Sequence, residues 1–278
     1  MKNLPVGQQD FEKLIRKDCV YVDKTAYIHQ MMLSGGDTFF LSRPRRFGKS
    51  LLLGTFKAIF EGKKELFKNL NIEDKINWEP HPVIVIDMSK DAGSVETLKL
   101  GLANFLKTIA EFHQVDVNYH EESPSTMLER LISMPYLKTG KQVVVLVDEY
   151  DKPVLDQIDD LDLANAMREV LYTFYGALKS SATYLKLLVV TGITKISQTS
   201  IFSGFNNLND LSYDSPYAAI CGYTQEELES NFAGYIHKTA QNNQISNEEL
   251  LALVKSWYNG YSWDAKTFLC IIRIRYCC

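Results

Sequence analysis

Basic charge is what this chain has too little of to coat a nucleic acid: 30 Lys and Arg stand against 34 Asp and Glu, a formal net charge of −4. That excludes a dedicated nucleic-acid coat, which would be basic overall, and leaves room for a local basic patch. Long apolar runs are also missing. No stretch approaches the roughly 20 residues needed to span a bilayer. The start, MKNLPVGQQDFEKL, is polar and has no apolar core of a secretory signal. The cytoplasm is the expected location, with no membrane partner. Cysteine is sparse: Cys19, Cys221, Cys270, Cys277 and Cys278 are odd in number, and no pair has zinc-finger spacing. Reduced thiols are the plain reading. His113, His120 and His237 lack partners at metal-ligand spacing. No internal repeat or low-complexity linker is visible.

What is present is an alternation of strand and helix patterns in a chain that is 46% hydrophobic over 278 residues, enough for a large core. Asp37 to Ser42, Val83 to Asp87, Lys141 to Asp148 and Tyr184 to Thr191 are short apolar, β-branched or aromatic runs and read as buried strands. Helices are expected from Ser50 to Phe60, Ser94 to His113 with Ser94 as N-cap, Ser123 to Leu137, and Leu161 to Ser180. Strands buried on both faces and spaced by helices indicate a parallel sheet of α/β type. From Thr224 the pattern turns helical, over Thr224 to Thr239 and Ser246 to Tyr258, which suggests a small helical lid.

Two motifs carry chemistry. Arg43-Pro-Arg-Arg-Phe-Gly-Lys-Ser50 sits between a strand and a helix, where a phosphate-binding loop must sit. Such a loop needs backbone N–H groups at a helix N-terminus, a flexible lysine and a hydroxyl for magnesium. Lys49 would reach the β- and γ-phosphates, Ser50 would ligate the metal, and Gly48 would let the backbone approach without a clashing Cβ. The nucleotide-contacting run is Arg45, Arg46, Phe47, Gly48, Lys49, Ser50 and Leu51. The motif G-x-x-x-x-G-K-[ST] places glycine where this chain has Arg43, and Pro44 lacks an N–H. Arg43, Arg45 and Arg46 would either hold phosphate oxygens or pair with surface carboxylates.

The second motif is Val143-Val-Val-Leu-Val-Asp-Glu149, a buried strand running into two carboxylates. Asp148 would hold magnesium, usually through water, and Glu149 would orient or deprotonate the attacking water. Asp151 reads as a solvated surface acid. Thr191, at the end of the next strand, is placed to sense the γ-phosphate or merely to cap its loop, with Thr194 or Lys195 as substitutes.

LPVGQQDFEKL, YVDKT, FFLSRPRRFGKSLLL, VDEYDKPV, TGITKISQTSIFSGFNNLNDLS, CGYTQEEL and WYNGYSW together resemble the AAA-ATPase-like domain family of bacterial proteins, over roughly residues 3 to 268. The resemblance implies a three-layer P-loop NTPase fold of the ASCE type, with the Asp148–Glu149 strand beside the P-loop strand. It marks Gly48, Lys49 and Ser50 for nucleotide, and Asp148 and Glu149 for magnesium and water. Arg-Pro-Arg-Arg before Phe-Gly-Lys-Ser is that family's own form of the loop. Many such proteins carry a C-terminal domain similar to restriction-type nucleases, so a missing domain of that kind, or another protein or nucleic-acid partner, is an expectation.

The expected division is a core over 1–222, a helical lid over 223–268 and an atypical tail over 269–278. The family pattern stops at Phe268, and the tail reads as a truncated or frame-shifted end that packs poorly and at best adds an edge strand with no evident partner. A lipidated Cys-Cys terminus is the weaker alternative. The expected function is ATP binding with magnesium-dependent hydrolysis. The alternatives are a nucleotide-dependent interaction module with negligible hydrolysis and, less supported, a P-loop kinase.

Overall fold

The structure, a computed structural model, describes residues 1–90, 92–119, 121–195, 201–202 and 208–270. His120 and most of the stretch from Ile196 to Asn207 in the sequence pattern therefore lie outside the described residues.

Four central strands follow from four apolar runs: β1 (Thr38–Ser42), β2 (Val83–Asp87), β3 (Val143–Asp148) and β4 (Leu185–Gly192). A short β5 (Asn209–Asp210) completes a five-stranded sheet in the order β2-β3-β4-β1-β5, and every pairing is parallel. All residues of β1 and β3 are buried, as are all of β4 except Lys186. Such strands need cover on both faces, and the strand period of two sorts their side chains between them. Phe40, Ile84, Ile86, Val145, Val147 and Val190 face one core, built with α4 (Val95–His113), α5 (Pro124–Thr139) and α7 (Leu161–Ser180). Phe39, Leu41, Val83, Val144, Leu146 and Val189 face the other, with α1 (Phe11–Arg16), α2 (Thr25–Leu33) and α3 (Lys49–Phe60). The result is a three-layer α/β sandwich around an all-parallel sheet, the layering expected of a P-loop NTPase.

The expected neighbourhood of β1 and β3 needs correction. β4 lies between them, so the Asp148–Glu149 strand is two places from the phosphate-loop strand. β4 is the longest strand, and only a central position covers both of its edges as well as both faces.

Local signals set the helix ends. Ser94 caps α4 in a reciprocal box with Thr97, and Ser123 caps α5 just before Pro124, each such cap being worth about 1 kcal/mol. A short α6 (Lys152–Leu155) follows β3.

Beyond residue 222 the chain forms α8 (Gln225–Asn242) and α9 (Asn247–Tyr258), then a hairpin of β6 (Asn259–Tyr261) and β7 (Leu269–Cys270). Thr224 and Glu227 cap α8 reciprocally. Val20 and Val22 pack on Leu228 and Phe232, and Lys24 Nζ lies 2.6 Å from a Glu227 carboxylate oxygen, joining α8 to the N-terminal part. The expected tail thus starts differently from its reading. Leu269 is fully buried and its strand has β6 as a partner, because Trp263 and Tyr261 turn the chain back over Phe47. Residues 271–278 lie outside the described residues.

Candidate functional site

β1 delivers the chain to the phosphate loop at Ser42, and α3 starts at Lys49. Gly48 takes φ +92° as the residue before the helix, and no side chain caps the N–H groups of the first turn. Arg46 is left-handed too, with φ +70°. Loops of this kind turn successive N–H groups inward, and with the open end of α3 they form a concavity suited to anions. Arg43 has no positive φ, so its position in the motif has no conformational need for glycine.

The three arginines part company. Arg43 is buried, and its guanidinium donates to the carbonyls of Ser42 at 2.9 Å, Ser212 at 2.8 Å and Tyr217 at 3.3 Å. It also lies 4.2 Å from the centre of the Trp263 ring. Burial pushes its pKa down to about 10. Neither reading of Arg43 holds: among the described residues it pairs with no carboxylate, and its two terminal nitrogens are turned onto carbonyls behind the loop while Nε is buried without a partner. Arg45 and Arg46 are exposed at the cleft rim. Phe47 also lines the cleft. Its ring is buried edge-on against Tyr261 and Trp263, and its carbonyl accepts the Gly222 N–H at 3.0 Å. A Cβ at Gly222 would lie 3.0 Å from that ring.

Lys49 is buried, and its ammonium donates to the carbonyls of Arg43 at 2.8 Å and Pro44 at 3.1 Å. Burial lowers its pKa, while Asp148, Glu149 and Asp151 pull it back up. Ser50 is half-buried one residue further on and lines the same cleft, as does Leu51.

The carboxylates stand at the C-terminal end of β3. Asp148 is nearly buried, and its Oδ1 accepts from Thr191 Oγ1 at 2.7 Å and from the Glu149 N–H at 3.1 Å. Thr191 is fully buried with its hydroxyl turned onto Asp148. Thr194 donates its N–H and hydroxyl to Asp151, and Lys195 pairs with Asp210 at 2.6 Å. Glu149 is half-exposed, and its pKa is raised by burial first and by the neighbouring Asp148 charge second. Asp151 corrects the reading of a solvated acid: it is fully buried and accepts from Ile193 and Thr194.

These parts meet in a cleft of about 740 Å³, a volume suited to a nucleotide-sized ligand. Gly48, Lys49, Ser50 and Glu149 line it together, and Asp148 and Thr191 sit behind Glu149. Pro5 to Gln9, Tyr21, Lys24 and Tyr223 also form its walls. None of these wall residues carries a motif. Their only signal in the sequence is membership of the strings LPVGQQ, YVDK and CGY.

With the geometry in place, similarity to known proteins adds the following. Residues 5–202 match the family described as Predicted AAA-ATPase, AAA-ATPase-like. The chain is 37% identical over 271 residues to the "Uncharacterized protein in vnfD 5'region" of Azotobacter chroococcum mcd 1, covering 95% of this chain and 49% of that protein. The chain therefore spans about half the length of this relative. A solved structure, the Aeropyrum pernix ORC2 protein in ADPNP-ADP complexes, aligns at TM-score 0.42 and 13% identity over 91% of this chain and 62% of that one.

Proposed function

The chain belongs to the predicted AAA-ATPase family, and on that premise we propose that its cleft binds ATP with magnesium and that Glu149 directs water onto the terminal phosphate. The observation that carries the reading is the convergence, on one cleft, of the uncapped end of α3, the Lys49 ammonium and the Glu149 carboxylate. The phosphates lie against the N–H groups of residues 46 to 50. Lys49 leaves the carbonyls of Arg43 and Pro44 and takes the β- and γ-oxygens in their place, an exchange of neutral acceptors for charged ones. Arg45 and Arg46 approach the phosphates from the solvent side, and the segment from Pro5 to Gln9 forms the wall toward the base.

The chain's oxygen donors fit magnesium. Asp148 Oδ1 is held by Thr191, while its second oxygen makes no hydrogen bond among the described residues and is free for a metal-bound water. Ser50 supplies the hydroxyl. An ion held there by Ser50 and, through water, Asp148 would supply charge neutralisation at the phosphate oxygens. Thr191 then acts by orienting Asp148 rather than by touching phosphate. Glu149, at the cleft surface with a raised proton affinity, holds the attacking water and accepts its proton. The core over 1–222 carries this chemistry, and 223–268 serves as the lid.

The direct test is calorimetry of ATP in magnesium. Lys49→Ala removes the partner of a buried phosphate charge, which costs about 2–5 kcal/mol, roughly 30-fold or more in Kd. Equal affinity of variant and parent would sink the reading.

A further inference from the structure

Glu149 sits in a backbone conformation it would not adopt by itself. Its φ is +53°, in the left-handed region that disfavours a residue with a long side chain. The turn that enforces this is fastened to β4 on both sides of Glu149. Before it, Asp148 is bound to Thr191. After it, the Tyr150 N–H donates to the Thr191 carbonyl at 3.1 Å, and the Tyr150 hydroxyl donates to the Thr194 carbonyl at 3.0 Å.

The strongest fastening is Asp151. It is fully buried, and among the described residues no cation pairs with it. Its charge is satisfied instead by the Ile193 N–H at 3.1 Å, the Thr194 N–H at 2.8 Å and the Thr194 hydroxyl at 2.9 Å. Three donors on one buried carboxylate fix both the acid and the loop that supplies them. Gly192 makes the close approach possible: a Cβ there would fall 2.4 Å from the Tyr150 ring and 2.8 Å from Asp151 Oδ1. An exposed acid would do none of this. The energy of burying Asp151 is spent where the chain must turn sharply to present Glu149 to the cleft.

We propose that Asp151 is a positioning residue for hydrolysis: it locks the turn after β3 onto the loop after β4 and thereby holds Glu149 in its left-handed conformation, aimed into the cleft beside Lys49. This rests on the assignment of Glu149 to water activation. Asp151 touches neither nucleotide nor water, and its effect passes through the geometry of residue 149.

Asp151→Asn keeps the shape and removes the charge: the three donors converge on Oδ2, where the amide oxygen can stand, so the charge-assisted bonds become weaker neutral ones. Thr194→Val removes one donor from the other side, and Thr194→Ser restores it. The expected result is a kcat lowered about tenfold or more in Asp151→Asn and in Thr194→Val, with ATP Kd and KM within about twofold of the parent. Thr194→Ser should keep the parent's kcat. The double variant should be no slower than the worse single one, as expected for two halves of one contact. Unchanged kcat in a folded Asp151→Asn protein, or loss of ATP affinity with unchanged kcat, would overturn the proposal.

A second readout needs no turnover. In the parent, Glu149→Gly should melt at or above Glu149→Gln, because glycine adopts positive φ freely and both variants lack the charge. In the Asp151→Asn background the order should reverse, since a released turn relaxes and glycine then only loosens the chain. The same order in both backgrounds would show that Asp151 does not hold residue 149. If the parent shows no turnover yet the order reverses, the clamp stands and the hydrolytic assignment of Glu149 fails.

Discussion

The phosphate loop and the acidic turn face the same cleft, yet they are held in opposite ways. The loop is anchored from behind, by Arg43 and Phe47, while the groups that would meet a nucleotide are only provisionally placed. Lys49 rests on two carbonyls of its own loop, and Arg45 and Arg46 stand in solvent. The acidic turn has almost no such freedom. Asp148 is tied to Thr191, and Asp151 to Ile193 and Thr194, so its geometry is complete before any ligand arrives. Under the proposed function, the difference separates binding from chemistry. A loop that exchanges weak internal acceptors for phosphate oxygens yields affinity, whereas a turn that is already rigid needs no reorganisation at the moment of reaction.

The largest effect that would break this contrast concerns Arg43. Arg43→Ala strips three buried carbonyls of a charged donor, each such bond being worth about 1.5–3 kcal/mol before the cost of burying the guanidinium, which the variant no longer bears, is subtracted. A fall in unfolding free energy of about 2–3 kcal/mol is expected in denaturant titration. A variant that keeps its stability but loses ATP affinity would place Arg43 among the phosphate ligands, against its assignment as an anchor.

Thr191→Val comes next. It leaves Asp148 without its hydroxyl partner while preserving shape. Turnover at fixed magnesium should drop about tenfold, and the magnesium concentration for half-maximal rate should rise, with ATP affinity without metal unchanged. A lost preference for ATP over ADP in the absence of metal would instead make Thr191 a phosphate sensor.

The smallest effect is one of pH. Glu149 holds its proton more tightly in the folded chain than the ordinary glutamate value of 4.5, so its charged form weighs against folding. The stability tied to its protonation is full below that value and is lost as pH rises through the folded pKa. Glu149→Gln should therefore melt above the parent at pH 7 to 8, and the gap should close below about pH 4.5. A gap that grows on acidification would mean that the turn favours the charged carboxylate.

Much of the fold was legible because period and run length are local. The strand Val83–Asp87 and the helix over Leu161–Ser180 sit at their expected bounds, and Ser94 caps its helix. The order of strands was not legible in the same way. That β4 separates β1 from β3 depends on packing between segments more than 40 residues apart, which no local pattern encodes. The site divides along the same line. Gly48, Lys49, Ser50, Asp148 and Glu149 stand in short motifs, and the cleft brings Gly48, Lys49, Ser50 and Glu149 together. Asp151 looked like any acid near a strand end, because its burial comes from Gly192 and the Thr194 amide, some forty residues on. Arg43 was ambiguous for the same reason: its carbonyl partners at Ser212 and Tyr217 arrive from a distant loop.

The contrast between a loop proposed to bind nucleotide and a preformed turn proposed to direct water meets its most direct test in Glu149→Gln. ATP binding by calorimetry and magnesium-dependent phosphate release should be measured on the same preparations of parent and variant. The expected result is ATP affinity within about twofold of the parent and turnover lower by roughly 10²–10⁴-fold, the range for loss of a general base. Equal turnover in parent and variant would contradict the role of Glu149. A parent that binds ATP but releases no phosphate above background would make the protein a nucleotide-dependent module rather than a hydrolase.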